Sequence, residues 1–443
     1  MAKTALSELR VVELGGFIAA PYCAKLMADM GAEVIKVEES GKGDPARRYG
    51  PFPKDDPHPE RSLLFAYLNT NKQGITLDVK STLGKKLFKE LLRDADVLVE
   101  SNPPKLMKRL GLDYKSLSGI NPRLIVTSIT PFGQTGPYRD YKGTNLISWH
   151  IGGIGYTTPG EVEDPDNHPP LKAPGHQADV MAGITGASAT MFALMARDFT
   201  GRGQHVDVSE QEPLVTAIAA SVISYTNRGE TPTRIAGMGR GVGSRKPVQA
   251  KDGYYTIQPH RSETAWQSTV KAMGYPEWAA LEIFKDRQSR RENMDAILPL
   301  IEEWSRDYTR EELYQILQVE NHVPCLPMNT MEEVLAHRHY AERGTFVEMN
   351  HPQIGTFRAP GPPYSFSATP WRIERPAPTL GQHNKNVICA RLGYSEEDIR
   401  ATYGGAGGEA PAGGLGVSPR YSIPPLSCRR GGQGARYVCP WRG

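Results

Sequence analysis

The fold is decided by residues 9–38, which read LRVVELGGFIAAPYCAKLMADMGAEVIKVE. The apolar run Leu9–Leu14 leads into two glycines and has the composition of a short buried β-strand. The pattern then predicts a helix over Ala20–Met30, which Gly31 ends, and a second strand over Glu33–Glu38. Two strands joined by a crossover helix form a βαβ unit, so the sequence predicts an α/β protein with a parallel sheet.

The turn between the first strand and the helix contains Gly15 and Gly16, where dinucleotide-binding folds carry their glycines. The full G-x-G-x-x-G spacing is missing, so the phosphate-binding fingerprint is incomplete. A Rossmann-like core is therefore expected, whereas a bound NAD is not. We predict no permanently bound cofactor.

The composition is that of an ordinary globular enzyme. Of the 443 residues, 39% are hydrophobic and 23% are charged, with a formal net charge of +3, which gives no argument for nucleic acid or membrane binding. The five cysteines lack metal-ligand spacing, so we predict reduced thiols and no metal site. No apolar run approaches about 18 residues and the first residues lack a signal-peptide core, so a cytoplasmic location is expected.

Three further strands are predicted at Ile75–Val79, Asp96–Glu100 and Leu124–Ile129. Because ligands of open α/β sheets bind at the carboxyl ends of the strands, polar residues in the neighbouring loops are candidate ligand contacts. Taken singly, each such side chain is better explained as a solvated surface group. Together they make a candidate surface for an anionic ligand, formed by Lys72, Asn102, Arg109 and Lys142.

A single carboxylate opens a long predicted helix. The stretch Pro174–Arg197 reads PGHQADVMAGITGASATMFALMAR, a turn followed by Asp179 and about five helical turns rich in alanine and glycine. Unpaired backbone N–H groups at a helix N-terminus favour negative charge, so Asp179 is expected to stay ionised and to be able to carry an acyl group. The alternative is that Asp179 is a structural N-cap. The small residues let another backbone or a ligand approach the first turns closely.

The length of the chain predicts two domains. Residues 1–226 are expected to form the first part of a large Rossmann-like domain. Residues 227–330 have their own pattern and are expected to form a smaller α/β domain, with a strand at Tyr254–Gln258 and a capping box between Thr309 and Glu312.

The last part of the chain has a different composition. Residues 331–403 are predicted to be a crossing segment that returns to the large domain, because Glu348–Pro376 is rich in proline and glycine and too long for an ordinary loop. Residues 404–443 are predicted to be a disordered tail, since their composition cannot bury enough apolar surface to fold.

Four glycines at alternate positions, Gly237, Gly239, Gly241 and Gly243, lie between the long helices and the smaller domain. Neither a strand before them nor a helix after them is predicted, which argues against a phosphate-binding loop. Such a run makes a pliable loop that can close over a site, and a plain linker is the alternative.

Six motifs occur in the order in which class III CoA-transferases carry them. They are the stretch 9–38 quoted above, LNTNKQGITLDVKS, DVLVESNPPKLMKRLGL, ITPFGQTGPY, GHQADVMAGITGASA and TGRGQHVDVSEQE. The chain therefore resembles the class III CoA-transferases, the group of formyl-CoA transferase and carnitine CoA-transferase. The resemblance spans Leu6 to Tyr403.

The resemblance implies a Rossmann-like large domain, a small domain and an interlocked homodimer in which each chain threads through its partner. It also implies that Asp179 is the nucleophile, which attacks an acyl-CoA thioester and passes CoA through covalent anhydride and thioester intermediates to a carboxylic acid. By the same resemblance Lys72, Asn102, Arg109 and Lys142 contact CoA, and Gly237–Gly243 closes over the aspartate. No metal is needed for this chemistry.

Two departures from the family bear on the substrate. Ile18 stands where formyl-CoA transferases carry a glutamine, and an apolar side chain cannot hydrogen-bond oxalate. The racemases of this fold use a histidine in a G-H-D-I-N motif, and Gly143–Ile147 lacks it. A 2-methylacyl-CoA racemase and a non-catalytic CoA-binding protein are the alternatives. Ordinary hydrogen-bonded histidines are expected at His150 and His176.

Overall fold

The computed structural model describes residues 4–160, 162, 164, 166–231, 234 and 247–401. The main sheet consists of six strands: β1 (Arg10–Leu14), β2 (Glu33–Glu38), β3 (Gln73–Thr76), β4 (Val97–Glu100), β5 (Ile125–Thr130) and β6 (His205–Ser209). Neighbouring strands all pair in parallel, in the order β3-β2-β1-β4-β5-β6. The α/β class with a parallel sheet is confirmed, and the strand order reverses between β1 and β4.

The first βαβ unit forms where the sequence predicts it. The crossover helix α1 spans Ala19–Asp29, and all of its residues are buried because it lies between the sheet and another helix. Gly31 follows with φ +98°, a conformation that L-residues with a side chain rarely adopt, so the chain can turn there into β2.

The third strand is displaced from its prediction at Ile75–Val79. It begins at Gln73 because Asn71, with φ +64°, makes the turn before it. It ends at Thr76 because its pairing with β2 ends at Glu38, the last residue of that strand. The length of β3 therefore depends on its pairing with β2, and the sequence of β3 alone does not show where that pairing ends.

The described residues contain mostly short α-helices, and the longest of them spans Gln177–Thr200. They are α1, α2 (Leu63–Leu68), α3 (Thr82–Arg93), α4 (Pro104–Leu110), α5 (Tyr114–Leu117), α6 (Asn145–Ile151), α7 (Gln177–Thr200), α8 (Gln211–Ala217), α9 (Ala219–Arg228), α10 (Glu263–Ala272), α11 (Arg287–Glu292), α12 (Met294–Ser305), α13 (Arg310–Leu313), α14 (Met331–Ala336), α15 (Arg338–Glu342) and α16 (Glu396–Ala401). Short 3₁₀ or π-helical turns lie at Pro45–Arg48, Pro53–Asp55, Ile154–Thr157, Glu277–Ala280, Glu282–Phe284, Tyr314–Glu320 and Lys385–Arg391.

Helix α7 packs on α1, and its small residues make this possible. A Cβ atom added at Gly183 would lie 2.8 Å from the backbone oxygen of Ala19. One added at Gly186 would lie 2.6 Å from Cδ1 of Ile129 on β5. The two glycines therefore allow α7 to lie against α1 and the sheet at a distance that a larger residue would not permit, as predicted.

A second, smaller sheet contains β7 (Val248–Ala250), β8 (Gly253–Ile257) and β9 (Cys325–Pro327), paired antiparallel. Its apolar residues form a core with those of α10 and α12, separate from the two cores of the main sheet. The capping box at Thr309 is confirmed, since its hydroxyl accepts from the Glu312 amide and the Glu312 carboxylate accepts from the Thr309 amide. The domain boundaries predicted at residues 227 and 330 stay predictions.

The extended segment predicted over Glu348–Pro376 is wrong for its first part. Strands β10 (Phe346–His351) and β11 (Gly355–Pro360) form an antiparallel hairpin. The proline and glycine of the intervening turn suggested a linker, but Gly355 takes φ +85° in a tight turn between paired strands. The remainder has no regular structure up to residue 384.

The chain after the hairpin returns to the main sheet. The side chain of Asn384 accepts a hydrogen bond from the Thr76 amide at 2.9 Å, and His383 Nδ1 accepts one from the Gly74 amide at 3.0 Å. Asn71 is held by the same segment, because its Oδ1 accepts from the amides of Glu374 and Arg375. The predicted tail at 404–443 lies outside the described residues.

One described helix, α7, has the length and composition of a membrane-spanning helix. Half of its most apolar window is buried inside the fold. Core helices of soluble proteins have the same length and composition, so this finding alone identifies no membrane segment.

Candidate active site

Asp179 is buried in the first turn of α7. It is the third residue of the helix and is 6% exposed. The alternative that it is an N-cap is wrong, because His176 occupies the cap position and no backbone N–H of the described residues donates to the Asp179 carboxylate. Burial raises the pKa of Asp179, while His176, Asn145 and Lys172 oppose that rise.

Both hydrogen bonds to the Asp179 carboxylate reach the same oxygen. Asn145 Nδ2 donates to Oδ2 at 2.9 Å, and His176 Nδ1 lies 3.2 Å from Oδ2. Within the described part of the chain, Oδ1 has no hydrogen-bond partner. One oxygen is thus held in place, and the other keeps its lone pairs available for attack.

Helix α6 carries Asn145 and is fixed between α7 and α8. Trp149 of α6 packs with Ala178 of α7 and Leu214 of α8 in a small buried cluster. The N-terminal turn of α6 therefore faces that of α7, and the amide of Asn145 meets the carboxylate. Asn145 belongs to the stretch that lacks the racemase histidine, and the sequence alone gave no sign of this contact.

An aromatic cluster lies on the other side of His176. The Phe17 ring meets the His176 ring edge-on at 5.1 Å, and the Tyr49 ring meets it at 5.3 Å. Phe17 has φ +67°, and its amide donates to Asp44 Oδ1 at 2.9 Å, which holds this unusual turn in place. Because Asp44 is buried, its hydrogen bond fixes the turn between β1 and α1. The ring of Phe17 in this turn therefore has a fixed position against His176.

Glu210 is a second buried carboxyl near Asp179, and the sequence analysis missed it. It follows β6 directly, is 7% exposed, and accepts a hydrogen bond from Ser148 Oγ at 2.9 Å. Burial, together with the charge of Asp179, raises the pKa of Glu210 to about 7, although the hydrogen bond from Ser148 opposes the rise. The rule that ligand sites lie at the carboxyl ends of parallel strands was the available signal.

Lys72 is buried and fully paired. Its ammonium group lies 2.7 Å from Glu13 Oε2 and donates to the Pro21 carbonyl at 2.8 Å and to Asn69 Oδ1 at 2.9 Å. These three partners use its three N–H groups. Burial lowers the pKa of Lys72 to about 8 although Glu13 opposes this. The placement argues against the predicted contact with CoA, and we assign Lys72 a structural role.

Further buried ions surround Lys72 at the ends of β1 and β2. Lys36 Nζ lies 2.6 Å from Glu13 Oε1 and 2.7 Å from Asp44 Oδ2. Burial alone would lower the pKa of Lys36, but the charges of Asp44 and Glu13 outweigh it, so the pKa rises. The cluster neutralises itself and fixes Asp44, which in turn holds the Phe17 turn.

Asn102 ties the end of β4 to the end of β1. Its side-chain amide donates to the Leu14 carbonyl at 2.6 Å, and its backbone amide donates to Glu100 Oε2 at 2.7 Å. Burial raises the pKa of Glu100 to about 7, although hydrogen bonds from Ser128 and Asn102 oppose this. Asn102 lies where the sequence predicted, but its Nδ2 already has a partner.

Arg109 and Lys142 are exposed, and neither forms an ion pair with a described residue. Lys105 of α4 lies 3.1 Å from Asp140, so the loop that leads to Lys142 lies beside the helix that carries Arg109. This ion pair joins the two segments that carry the cations. No hydrogen bond or ion pair joins either of them to Asp179 within the described residues.

The glycines at Gly237–Gly243 lie outside the described residues. Their predicted closure over Asp179 therefore stays a prediction. Among the residues that are described, no group of three or more histidine, cysteine, aspartate or glutamate side chains could hold a metal ion.

The chain is similar to known CoA-transferases over most of its length. Residues 6–384 match the family model described as CoA-transferase family III. A succinyl-CoA–D-citramalate CoA-transferase of Chloroflexus aurantiacus is 33% identical over 394 residues, which cover 89% of this chain and 96% of that protein. A succinate–glutarate CoA-transferase of Agrobacterium fabrum is 32% identical over 390 residues, with 87% and 96% covered.

A solved structure agrees with the sequence comparisons. The crystal structure of a CAIB/BAIF family protein from Brucella suis is 29% identical, has a TM-score of 0.74, and covers 88% of this chain and 99% of that protein. Since the family match spans far more than half of the residues, the chain belongs to CoA-transferase family III and is a CoA-transferase.

Proposed function

We propose that this enzyme transfers CoA from an acyl-CoA donor to a carboxylic acid through covalent intermediates on Asp179. The observation that carries the proposal is the state of this carboxylate. It is buried at the start of a long helix, with Oδ2 held by Asn145 and His176 and Oδ1 without a hydrogen-bond partner among the described residues. A carboxylate nucleophile needs one oxygen fixed and one free.

The proposed reaction has four exchange steps, each of which keeps one negative charge. Oδ1 of Asp179 attacks the donor thioester carbon, and CoA thiolate leaves to give an acyl-aspartyl anhydride. The thiolate attacks Cγ of Asp179, which releases the donor acid and forms an aspartyl-CoA thioester. The acceptor carboxylate attacks this thioester and forms a second anhydride with release of thiolate. The thiolate then attacks the acceptor carbonyl, which yields the new acyl-CoA and restores Asp179.

The protein environment suits this chemistry in two ways. The free N–H groups at the start of α7 stabilise negative charge that develops on the carbonyl oxygen next to Asp179. Burial of Asp179 keeps water away from the anhydride and the thioester, both of which water would hydrolyse.

Arg109 and Lys142 are the proposed contacts of the CoA phosphates. Both are exposed and unpaired among the described residues, and the Lys105–Asp140 ion pair brings their segments together. Asn102 at the neighbouring strand end is retained as a proposed polar contact through its side-chain oxygen. Lysine and arginine side chains form strong charge-assisted hydrogen bonds with phosphate oxygens.

The test of the covalent mechanism is to trap the intermediate. During turnover with succinyl-CoA or acetyl-CoA and a panel of carboxylic acids, hydroxylamine or borohydride should modify Asp179, as read by peptide mass spectrometry. Asp179→Asn keeps an oxygen that can accept from Asn145 and His176 but is not a nucleophile. It should fold and lose transfer, and full transfer in this variant contradicts the proposal.

The His176–Asp179 contact is the one observation that favours the racemase alternative, because that chemistry uses a histidine and an aspartate as bases. The same protein should then exchange the α-proton of a 2-methylacyl-CoA with deuterated water in the absence of any acceptor acid. Binding of CoA with neither transfer nor exchange would instead support a non-catalytic CoA-binding protein.

We also propose that two chains form a homodimer, interlocked as in the family. Apolar side chains lie exposed on one face of α7, where Phe192 is 70% and Phe199 87% exposed. None of the residues of α9 is buried, and its large apolar side chains Ile223 and Tyr225 are exposed. Large apolar surfaces of this kind mark protein interfaces. Light scattering after dilution to nanomolar concentration should still find a dimer, and a monomer would contradict interlocking.

A further inference from the structure

Two buried carboxyl groups are held by one turn of α6. Asn145 donates to Asp179 and Ser148 donates to Glu210, each at 2.9 Å. Asn145 and Ser148 are three residues apart and therefore project from the same side of the helix. Asp179 and Glu210 come from α7 and from the end of β6, so a single short helix links the two acids.

No described lysine or arginine forms an ion pair with Glu210. Its surroundings are the Ser148 hydroxyl from α6, the Thr130 carbonyl from β5, which accepts from the Glu210 amide at 2.9 Å, and Asp179 from α7. The other two acids on the segment that carries Glu210 are Asp207 and Glu212. Asp207 accepts a hydrogen bond from the Gln134 amide, and Glu212 is exposed.

The polar groups near the site favour ionisation of the other acid. His176 and Lys172 favour the charged form of Asp179, and among the described residues neither forms a hydrogen bond or ion pair with Glu210. A buried carboxylate without a cation is costly, and two adjacent ones repel each other as well. At a pH below the pKa of Glu210 this arrangement therefore favours a pair with one negative charge and one proton, the charge on Asp179 and the proton on Glu210. Burial and the charge of Asp179 raise the pKa of Glu210 to about 7, which agrees with this assignment.

We infer that Glu210 is a positioning residue that must keep its proton for transfer to proceed, so that only Asp179 of the two acids is ionised. The inference rests on the proposed function, since it concerns the same nucleophile. Every attacking group in the reaction is an anion: Asp179 itself, CoA thiolate or the acceptor carboxylate. An ionised Glu210 would repel each of them and would also raise the pKa of Asp179.

The inference predicts a bell-shaped pH profile of kcat/KM. The acid limb reports the ionisation of Asp179, and the alkaline limb reports loss of the proton from Glu210, with apparent pKa values that belong to the pair. The neutral fraction of an acid falls tenfold for each pH unit above its pKa. Transfer one unit above the alkaline midpoint is therefore expected to be about a tenth of its maximum.

Three variants test the origin of the alkaline limb. Glu210→Gln keeps an oxygen for Ser148 and cannot ionise, so the limb should disappear while activity at low pH stays within about threefold. Ser148→Ala removes a bond that favours the charged form, so the limb should move to higher pH. Glu212→Gln changes an exposed acid two residues away and should leave the profile as in the wild type. A limb that persists unchanged in Glu210→Gln overturns the inference.

A second measurement does not depend on transfer. Infrared difference spectra between wild type and Glu210→Gln should show the carbonyl stretch of a protonated carboxylic acid at about pH 6, and it should be lost by about pH 9. Absence of this band at low pH overturns the inference even if the enzyme transfers CoA. If the band titrates but no donor and acceptor pair is turned over, the proposed function fails while the charge state of Glu210 stands.

Discussion

The close contact of α7 with α1 is expected to hold Asp179, the proposed nucleophile, in place, and Gly183→Ala tests this. The new Cβ would lie 2.8 Å from the Ala19 carbonyl oxygen and 3.2 Å from Cβ of Tyr22. The carbonyl oxygen belongs to the backbone and cannot rotate away, so the two helices must separate by a few tenths of an ångström. Overpacking of this kind costs about 1–3 kcal/mol, against a gain of about 1 kcal/mol in helix propensity.

The expected net loss in the free energy of unfolding for Gly183→Ala is therefore about 1 kcal/mol, measured by urea denaturation. Asp179 lies one turn before Gly183 on the same side of α7, so a shift of the helix displaces the carboxylate. Small displacements of a reacting atom lower kcat steeply, and a decrease of about tenfold is expected.

Two further variants separate contact from propensity. Gly186→Ala places its Cβ 2.6 Å from Cδ1 of Ile129, a side-chain end that can move, so its effects on stability and kcat should be smaller. Ser188→Ala lies on the exposed side of α7 and changes helix propensity without adding a contact inside the chain. If Gly183→Ala unfolds at the same urea concentration as the wild type and keeps its kcat, close packing on α1 is not what positions Asp179.

Three other outcomes follow from the buried and exposed charges. Glu100 has a pKa raised by burial to about 7, so the stability it contributes is present at low pH and is lost as the pH rises from about 4.5 to about 7. Glu100→Gln should therefore raise the free energy of unfolding at about pH 8, on the order of 2 kcal/mol, and not at about pH 4. Arg109→Ala should raise KM for acyl-CoA about tenfold, whereas Lys72→Met should lower thermal stability and leave KM within about twofold. Removal of the chain after Tyr403 should leave a dimer, measured by light scattering, and should keep turnover within about twofold in a transfer assay.

The local patterns of the sequence predicted the parts of the fold that short-range physics determines. The βαβ unit at residues 9–38 depends on periodicity and on Gly31, both of which are visible in the sequence. Asp179 could be placed in the first helical turn for the same reason. The small residues Gly183 and Gly186 predicted a close approach to the first turns of α7, and the structure shows that the backbone of α1 makes it.

Residues with distant partners could not be placed in this way. Lys72 lies in the polar stretch Asn69–Gln73 and resembles a surface lysine, but its partner Glu13 lies on β1, and the sequence spacing between the two carries no signal. The hairpin at residues 346–360 was hidden because turn residues and linker residues have the same composition. Glu210 was missed because one acidic residue among several at a strand end is distinguished only by its burial.

The charged groups at the carboxyl ends of the strands serve two different purposes. At the ends of β1 and β2, the carboxylates of Glu13 and Asp44 are neutralised by Lys36 and by the neighbouring Lys72. The other oxygen of Asp44 accepts a hydrogen bond from the Phe17 amide. That cluster holds a turn and has no charge left for a ligand. Near the ends of β5 and β6, by contrast, Asp179 and Glu210 share one negative charge with no lysine or arginine paired to either of them among the described residues. A buried charge without a permanent partner is costly in the folded protein. In the proposed transfer, acylation of Asp179 moves that negative charge from the buried carboxylate to CoA thiolate, so relief of the cost at Asp179 favours the first step.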